Sequence, residues 1–307
     1  MKKKTTSVLL YSFVGFFALL FFLYLNLPRV LIKERIANIL TKQTNAIVSI
    51  EDISIHFPLG VTLHELNLSQ PNINKDLSLK KVYFNISFFS LFLGNINGSL
   101  RVERNDSSSF DLSFLTNVFS KNSHSNPLAN FSFESKFFKV SDLLNYMIHY
   151  KKLTSNDIFF SLLAETVIEE GSLSGKISLE KMQTPKETSG QIDLKLNNFV
   201  VKHPSFNSIQ KITKPIHVKA NFAKESIQLT SPLHIKSQEI DLALSGSILK
   251  PLTRPNLNLE LDFSISGDIK NFLYPLLASY KSQTNPDKYF ISIKGSTYSP
   301  LIEKSKD

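Results

Sequence analysis

Adjacent acidic residues and one histidine are the side chains that could do chemistry. The carboxylates at 51–52 and 169–170 are the residue types that serve as a general acid and base. Neighbours in a strand point to opposite faces, however, so neither pair would share a proton or flank one bond. His64 is followed by Glu65 but lacks the second histidine of a zinc protease helix. The spacing therefore predicts neither a catalytic dyad nor a zinc site.

The sequence Gly-Ser-Leu-Ser-Gly at 171–175 has the glycine spacing of a hydrolase nucleophile elbow. That motif needs serine at its centre, where this chain has Leu173, so we expect a turn. The seven histidines show no short ligand spacing, although His217 and His234 could meet across strands, and there is no cysteine. We therefore expect no catalytic residue, no metal, no cofactor and no enzymatic activity.

The N-terminal segment determines where the rest of the chain is placed. Lys2, Lys3 and Lys4 precede the uncharged residues 5–28, whose apolar part, 8–27, is 20 residues long. A helix of that length crosses a hydrocarbon core of about 30 Å, whereas a cleaved signal has an apolar stretch of only about 7–15 residues. We predict a cytoplasmic tail at 1–7, a transmembrane helix at 8–27 and export of the remainder.

Residues 28–44 are predicted to form an amphipathic helix beside the membrane. Its apolar positions should fall largely on one side: Leu31, Ile32, Ile36, Ile39 and Leu40. Arg29, Lys33 and Arg35 could contact the headgroups of anionic lipids. The net charge of +9 is otherwise spread along the chain, with no basic stripe interleaved with aromatic residues. Nucleic acid is therefore not an expected partner.

From residue 45 to residue 307 the apolar residues recur mostly with a period of two. This pattern predicts a mainly β domain, with an antiparallel sheet and two or three short helices. Phase slips near residues 51, 64 and 80 predict β-bulges. Turns are expected at 58–60, 94–98, 171–175, 185–190 and 251–255. Helices are expected at 141–153, with Ser141 as N-cap, and at 268–281, interrupted by Pro275. The polar residues 121–130 mark a weak subdivision.

The apolar strand faces are the candidate functional surface. Its predicted members come from both halves of the domain: Phe84, Ile86, Phe88, Leu242, Leu244, Leu257, Leu259 and Leu261. We expect the first three to share one strand face, and Phe131, Phe133 and Phe137 to share another with one gap. The same faces could line an open trough or close on each other as a sandwich, and alternation alone does not separate these arrangements.

The order of parts, with the strand-turn-strand unit at 46–68 and its Phe-Pro-Leu-Gly-Val turn, resembles AsmA-like envelope proteins. Within that group the chain is most similar to the type II secretion system protein N family. The resemblance implies a single-pass protein of a bacterial inner membrane, in contact with its lipids, whose long curved sheet stands in the periplasm as a half-tube or sandwich. It implies a non-enzymatic accessory of type II secretion or envelope assembly, with secretion-apparatus proteins as partners. The alternatives are lipid handling, with phospholipid cargo, and an exported enzyme.

Overall fold

A computed structural model describes residues 14–15, 18–19, 22, 24–69, 76–117, 128–154, 166–202, 210–282, 285, 287–297 and 299–304. The described residues confirm the mainly β prediction, because sixteen strands form one antiparallel sheet. The first eight strands are β1 Ile47–His56, β2 Gly60–Ser69, β3 Leu77–Ile86, β4 Asn95–Glu103, β5 Ser109–Asn117, β6 Leu128–Lys139, β7 Val167–Glu180 and β8 Ser189–Lys202. The others are β9 Gln210–Lys211, β10 Ile216–Ala223, β11 Ser226–Leu229, β12 Leu233–Lys236, β13 Ile240–Leu249, β14 Asn256–Ile265, β15 Lys288–Ser296 and β16 Ser299–Lys304.

Strands that follow one another along the chain are mostly neighbours in the sheet. The order runs from β1 through β8 to β10, β11, β13, β14, β15 and β16, while β9 pairs with β8 and β12 with β13. Strands β1 and β16 are the two edges of this path. Short polar or glycine- and proline-containing turns make such hairpin connections possible, and an alternating apolar face gives each strand one side to bury.

Among the described residues from 29 onward, four helices accompany the sheet: α1 Arg29–Thr44, α2 Phe88–Phe92, α3 Ser141–Thr154 and α4 Gly267–Leu277, the last followed by a 3-10 turn at Ala278–Tyr280. Helix α3 joins β6 to β7 and α4 joins β14 to β15, so both lie at the end of the sheet where β1 begins. We call this the helix end. The opposite end, where β1 turns into β2 and α2 joins β3 to β4, is called the hairpin end.

The predicted membrane helix at 8–27 is described only in part, at 14–15, 18–19, 22 and 24–27, and the predicted tail at 1–7 lies outside the described residues. Within the described part of the chain, no helix has both the length and the apolar character needed to cross a membrane. Of the proposed subdivision at 121–130, residues 121–127 lie outside the described residues, and 128–130 belong to β6.

Helix α1 matches the helix predicted at 28–44, and most of its apolar residues share one side. Ile32, Ile36 and Leu40, spaced four residues apart, contact the core of the sheet. Ile39 lies about 20° from Ile32 around the helix, at the margin of this side, and is 48% exposed. Leu31 lies about 100° from Ile32 and is 62% exposed, so the prediction of one apolar side was wrong for this residue.

Two other predicted helices are present with different ends. Ser141 is the first residue of α3 and not its N-cap, and its buried hydroxyl finds no hydrogen-bond partner among the described residues. Helix α4 continues through Pro275 to Leu277, where the chain tightens into the 3-10 turn. Helix α2 was not predicted, because its sequence of three phenylalanines, one serine and one leucine is also typical of a strand.

Two predicted turns lie inside strands. The glycines and serines at 171–175 belong to β7, where Gly171 and Gly175 have φ of 159° and 125°. A Cβ at Gly175 would lie 2.1 Å from the carbonyl oxygen of Asp193 on β8, so glycine here permits a close approach of strands. At 94–98 the turn ends early, because β4 already begins at Asn95.

The three bulges predicted near residues 51, 64 and 80 are absent, because the strand pairing shows no register shift there. The pairing is the same on both sides of Glu65: Ile50 faces Leu66 and Asp52 faces His64. The β2–β3 ladder likewise keeps its register there. A bulge needs an extra residue on one strand only. Here the apolar positions shift by one residue in β1, β2 and β3 at the same level of the sheet, so the strands stay in register. Glu65, at this point of β2, has a φ of 48°. The shifts that do occur lie in the β5–β6, β6–β7 and β7–β8 ladders.

In the part of the chain that the structure describes, buried apolar residues form two clusters, both beside helices. In the first, α1 and α3 cover the helix end of β1–β8, where Ile53 is 1% and Phe138 3% exposed. In the second, α4 covers the helix end of β13–β15, where Tyr289 is fully buried and stacks on Phe263 with ring centroids 5.2 Å apart. The helices therefore cover one end of the apolar sheet face.

Candidate apolar sheet face

The strand registers join apolar side chains into continuous rows across the sheet. Residues directly opposite each other in an antiparallel pair project from the same face. One row takes one residue from each of the first eight strands, and we call it the central row. It consists of Ile55, Val61, Phe84, Leu100, Leu112, Phe133, Ile177 and Ile192. Ala220 and Leu229 extend it onto β10 and β11.

A second row lies closer to the hairpin end and reaches further. It includes Ile86, Phe114, Phe131, Leu179, Phe222, Ile227, Ile248 and Leu257. Two glycines also belong to this row. A Cβ at Gly98 would meet the Phe114 ring at 2.3 Å, so this ring lies over the space that glycine leaves. Such rings over glycines keep an apolar surface continuous where a side chain is missing.

The predicted surface residues fall on this face with one exception. Phe84 and Ile86 belong to the two rows, and the second row connects Ile86 on β3 with Leu257 on β14. On β13, Leu242 pairs with Phe263 of β14 and Leu244 with Leu261. Leu259 of β14 pairs with Ile293 of β15. Phe88, expected on the same strand as Phe84, is instead the first residue of α2, because β3 ends at Ile86.

The phenylalanines of β6 also differ from the prediction. Phe131 and Phe133 lie on the apolar face, but Phe137 is 70% exposed and has a φ of 50°. The β6–β7 register shifts between Ser135 and Phe138, so Phe138 turns into the core in place of its neighbour. The bulge exchanges the two rings, a change that residue spacing alone does not reveal.

Exposure along the apolar face changes from one end to the other. Ile53, beneath α1, is 1% exposed, whereas Ile55, two residues further along the same face, is half-buried. Every other member of the central row is half-buried as well, except Phe84, which is 38% exposed. On β14, burial likewise decreases from Phe263 towards Leu257. The helices therefore leave the middle of the apolar face partly open.

The opposite face of the same strands is polar and carries a row of charges. From β3 to β10 its paired residues are Tyr83, Arg101, Asp111, Glu134, Lys176, Asp193 and Lys219. Arg101 and Asp111 approach to 3.8 Å, and Lys219 and Asp193 to 3.7 Å. Exposed pairs of this kind contribute little stability, but they mark a face that stays in water. The sheet is thus apolar on one face and charged on the other.

The polar residues considered for chemistry are dispersed. His64 shares a hydrogen bond of 3.0 Å with Ser54, and Glu169 forms an ion pair with Lys202. In the described part of the chain, no three histidine or acidic residues come close enough to hold a metal ion. These side chains therefore do not converge on one reacting centre.

One network of charges is partly buried at the helix end. Arg104, 12% exposed, donates a hydrogen bond of 2.7 Å to Asp142, in the first turn of α3. Arg104 also lies 3.8 Å from Asp106. Burial raises the pKa of Asp106, but hydrogen bonds from the Ser108 hydroxyl and amide, with the charge of Arg104, lower that pKa below its usual 3.8. This network joins the β4–β5 turn to α3 and has a structural role.

The residues proposed to contact headgroups lie on the first turns of α1. Arg29 and Arg35 are exposed, whereas the half-buried Lys33 donates a hydrogen bond of 3.2 Å to the carbonyl oxygen of Glu51. Lys33 therefore joins α1 to β1, and two of the three cations face outward.

From the central row, only Phe84 and Phe133 were predicted as members of a candidate face, and the other six were missed: Ile55, Val61, Leu100, Leu112, Ile177 and Ile192. Each is an apolar residue in an alternating strand, so the signal was present, but strand pairing was needed to show that they form one surface. No family model, curated protein or solved structure matches this chain.

Proposed function

We propose that this chain is a non-enzymatic, membrane-anchored protein of the bacterial cell envelope whose apolar sheet face holds the acyl chains of lipids. The observation that carries the proposal is the central row: eight apolar residues, one from each of β1–β8, none of them fully buried. The uncharged N-terminal segment and the resemblance to AsmA-like proteins support placement in an inner membrane with the sheet in the periplasm.

The dimensions of the row suit an acyl chain. With strands about 4.8 Å apart, eight strands span roughly 34 Å. One leaflet of a bilayer is about half of the 30 Å hydrocarbon core, so an acyl chain would cross three or four strands. A curved sheet would surround that chain on more than one side. Burial contributes about 0.8 kcal/mol per methylene, and a one-sided contact about half of that.

Leu112 allows a direct test of lipid binding, because Leu100 and Phe133 flank it in the row. We expect full-length protein, extracted gently, to carry phospholipid that native mass spectrometry detects. Leu112→Asp places a charge against the acyl chain and should reduce the bound lipid at least tenfold, which corresponds to about 1.4 kcal/mol.

The control is Ser113→Asp, which adds the same charge one residue away on the polar face, where Ser113 is exposed. This variant should keep its lipid. Protein that carries no lipid, or equal loss in the two variants, contradicts the proposal.

A second candidate function is that of an accessory to type II secretion, which the edge strand β16 favours. All six of its residues are exposed, including Leu301 at 56% and Ile302 at 50%. An exposed edge can pair with a strand of a partner protein. Co-purification of secretion-apparatus proteins, lost when a proline is introduced at Ile302 but retained in Leu112→Asp, would support this role. Their absence from gently extracted complexes would contradict it.

A further inference from the structure

One part of the hairpin end contains no charged residue over a long stretch. Residues 53–63 and 82–100 contain the β1–β2 turn, α2 and the adjoining halves of β1–β4, and they include no Asp, Glu, Lys or Arg. Turns between later strands at the same end are shorter or charged: the β7–β8 turn includes Lys181 and Lys186, and the β13–β14 turn includes Lys250, whereas the uncharged β15–β16 turn has only two residues, 297–298. The longest uncharged part of this end is therefore where the first four strands reach it.

This uncharged part also exposes large apolar side chains. Phe89 in α2 and Leu93 directly after it are 75% and 78% exposed. The turn and α2 lie side by side, since the Ile86 amide donates a hydrogen bond of 3.1 Å to the Leu59 carbonyl. We call the exposed group the apolar edge; it consists of Phe57, Leu59, Phe89, Leu91 and Leu93, all at least 38% exposed.

The uncharged N-terminal segment meets the fold at this edge. Tyr24, near its end, donates a hydrogen bond of 2.8 Å to the carbonyl oxygen of Ile55. The Tyr24 ring packs edge-on against Phe57, with centroids 5.9 Å apart. The part of the chain predicted to lie in the bilayer therefore ends in contact with the apolar edge.

We propose that the apolar edge inserts into the interfacial layer of the bilayer that holds the N-terminal segment. This inference rests on the proposed membrane anchorage. Aromatic and leucine side chains without nearby charge suit the boundary between headgroups and acyl chains. Insertion would place the hairpin end of the sheet at the membrane. Ile86, the first residue of the second apolar row, would then lie next to the lipid and give acyl chains a dry path onto the sheet.

Tryptophan fluorescence can test the insertion cleanly, because the chain contains no tryptophan. Three single-tryptophan variants of the full chain are reconstituted in phosphatidylcholine vesicles that contain lipid brominated on the acyl chains. Phe89→Trp reports on the apolar edge and Phe22→Trp on the N-terminal segment. Phe137→Trp is the control, because Phe137 is about as exposed, at 70%, but lies at the helix end.

Bromine quenches only tryptophans that lie in contact with acyl chains. We expect at least a twofold loss of fluorescence for Phe89→Trp and Phe22→Trp, and none for Phe137→Trp. If Phe22→Trp is quenched but Phe89→Trp is not, the proposed insertion of the apolar edge is wrong, while the proposed membrane anchorage still holds. Absence of quenching in both would overturn the anchorage as well. Equal quenching in all three variants would also contradict an insertion specific to this edge.

Discussion

Two isoleucines of β1 show how unevenly the helices cover the apolar face. The same substitution at each site measures the difference as a free energy of unfolding. Ile53 lies beneath α1 and is 1% exposed, while Ile55, on the same face and two residues further, is half-buried in the central row. Their partners on β2 are Leu63 and Val61, respectively. Replacing each isoleucine by alanine removes the same atoms from the same strand, so the difference between the variants reports on their surroundings.

The expected costs differ because only one site is enclosed. Ile53→Ala leaves a cavity between the sheet and α1, and such substitutions reduce the free energy of unfolding by about 3–4 kcal/mol. At Ile55 the side chain is already partly in contact with solvent, so no enclosed cavity forms and roughly 1 kcal/mol of transfer free energy is lost. We therefore expect a difference of about 2–3 kcal/mol.

Pulse proteolysis in urea, applied to the full chain in nanodiscs, gives the unfolding midpoint of each variant from the amount of intact protein. Ile53→Ala should move the midpoint well below that of Ile55→Ala. Equal shifts would refute the reasoning, because they would mean that the central row is as enclosed as the helix end.

Further predictions concern the close strand approach and the charge network. Gly175→Ala should destabilise the fold by about 2–4 kcal/mol in the same assay, because its Cβ would collide with the Asp193 carbonyl oxygen. Arg104→Met should cost about 3 kcal/mol, since it leaves Asp142 buried without its cation. The folded-state pKa of Asp106 is lowered, so its stabilising effect is present above pH 3.8 and is lost as pH falls below it. Asp106→Asn should thus be less stable than the parent at pH 7 and approach it in acid, whereas a constant gap would contradict this.

The sequence was sufficient to predict strands whose apolar faces alternate strictly. Residues 192–196, 216–222, 240–244 and 257–265 all lie in strands, as expected. The chain alternates apolar and polar residues there, and each strand has one face to bury. Local pattern and tertiary structure agree in these segments, so no knowledge of strand pairing was needed.

The predictions were wrong for segments whose residue types are common in two different local structures. The glycines at 171 and 175 suggested a turn, but inside β7 Gly175 allows the backbone of β8 to approach closely, and Gly171 leaves room for the Phe199 ring. The aromatic run that forms α2 suggested a strand continuing from Phe84 to Phe88. A helix of five residues has little intrinsic stability, so its position depends on the neighbouring strands and not on its own sequence.

The candidate site was predictable in kind but not in extent. Alternation identified the apolar faces of Phe84 and Leu259, yet their membership of one surface depends on the nine strand pairings that connect β3 with β14. Alternation excludes a slip of one residue, which would move every side chain to the other face, but a slip of two residues keeps the faces and changes the partners, so the register could not be derived. The bulge that exchanges Phe137 and Phe138 shows how one residue changes such an assignment.

Mapping of acyl-chain contacts tests the central claim most directly. The full chain is reconstituted with phospholipid that carries a photoreactive diazirine on its acyl chain, irradiated, and digested for mass spectrometry. The account predicts adducts on Leu112, Phe133 and Ile177 of the central row, and none on Ser113 or Glu134 of the opposite face. Adducts spread equally over both faces, or absent from the central row, would contradict a lipid-binding role for this surface.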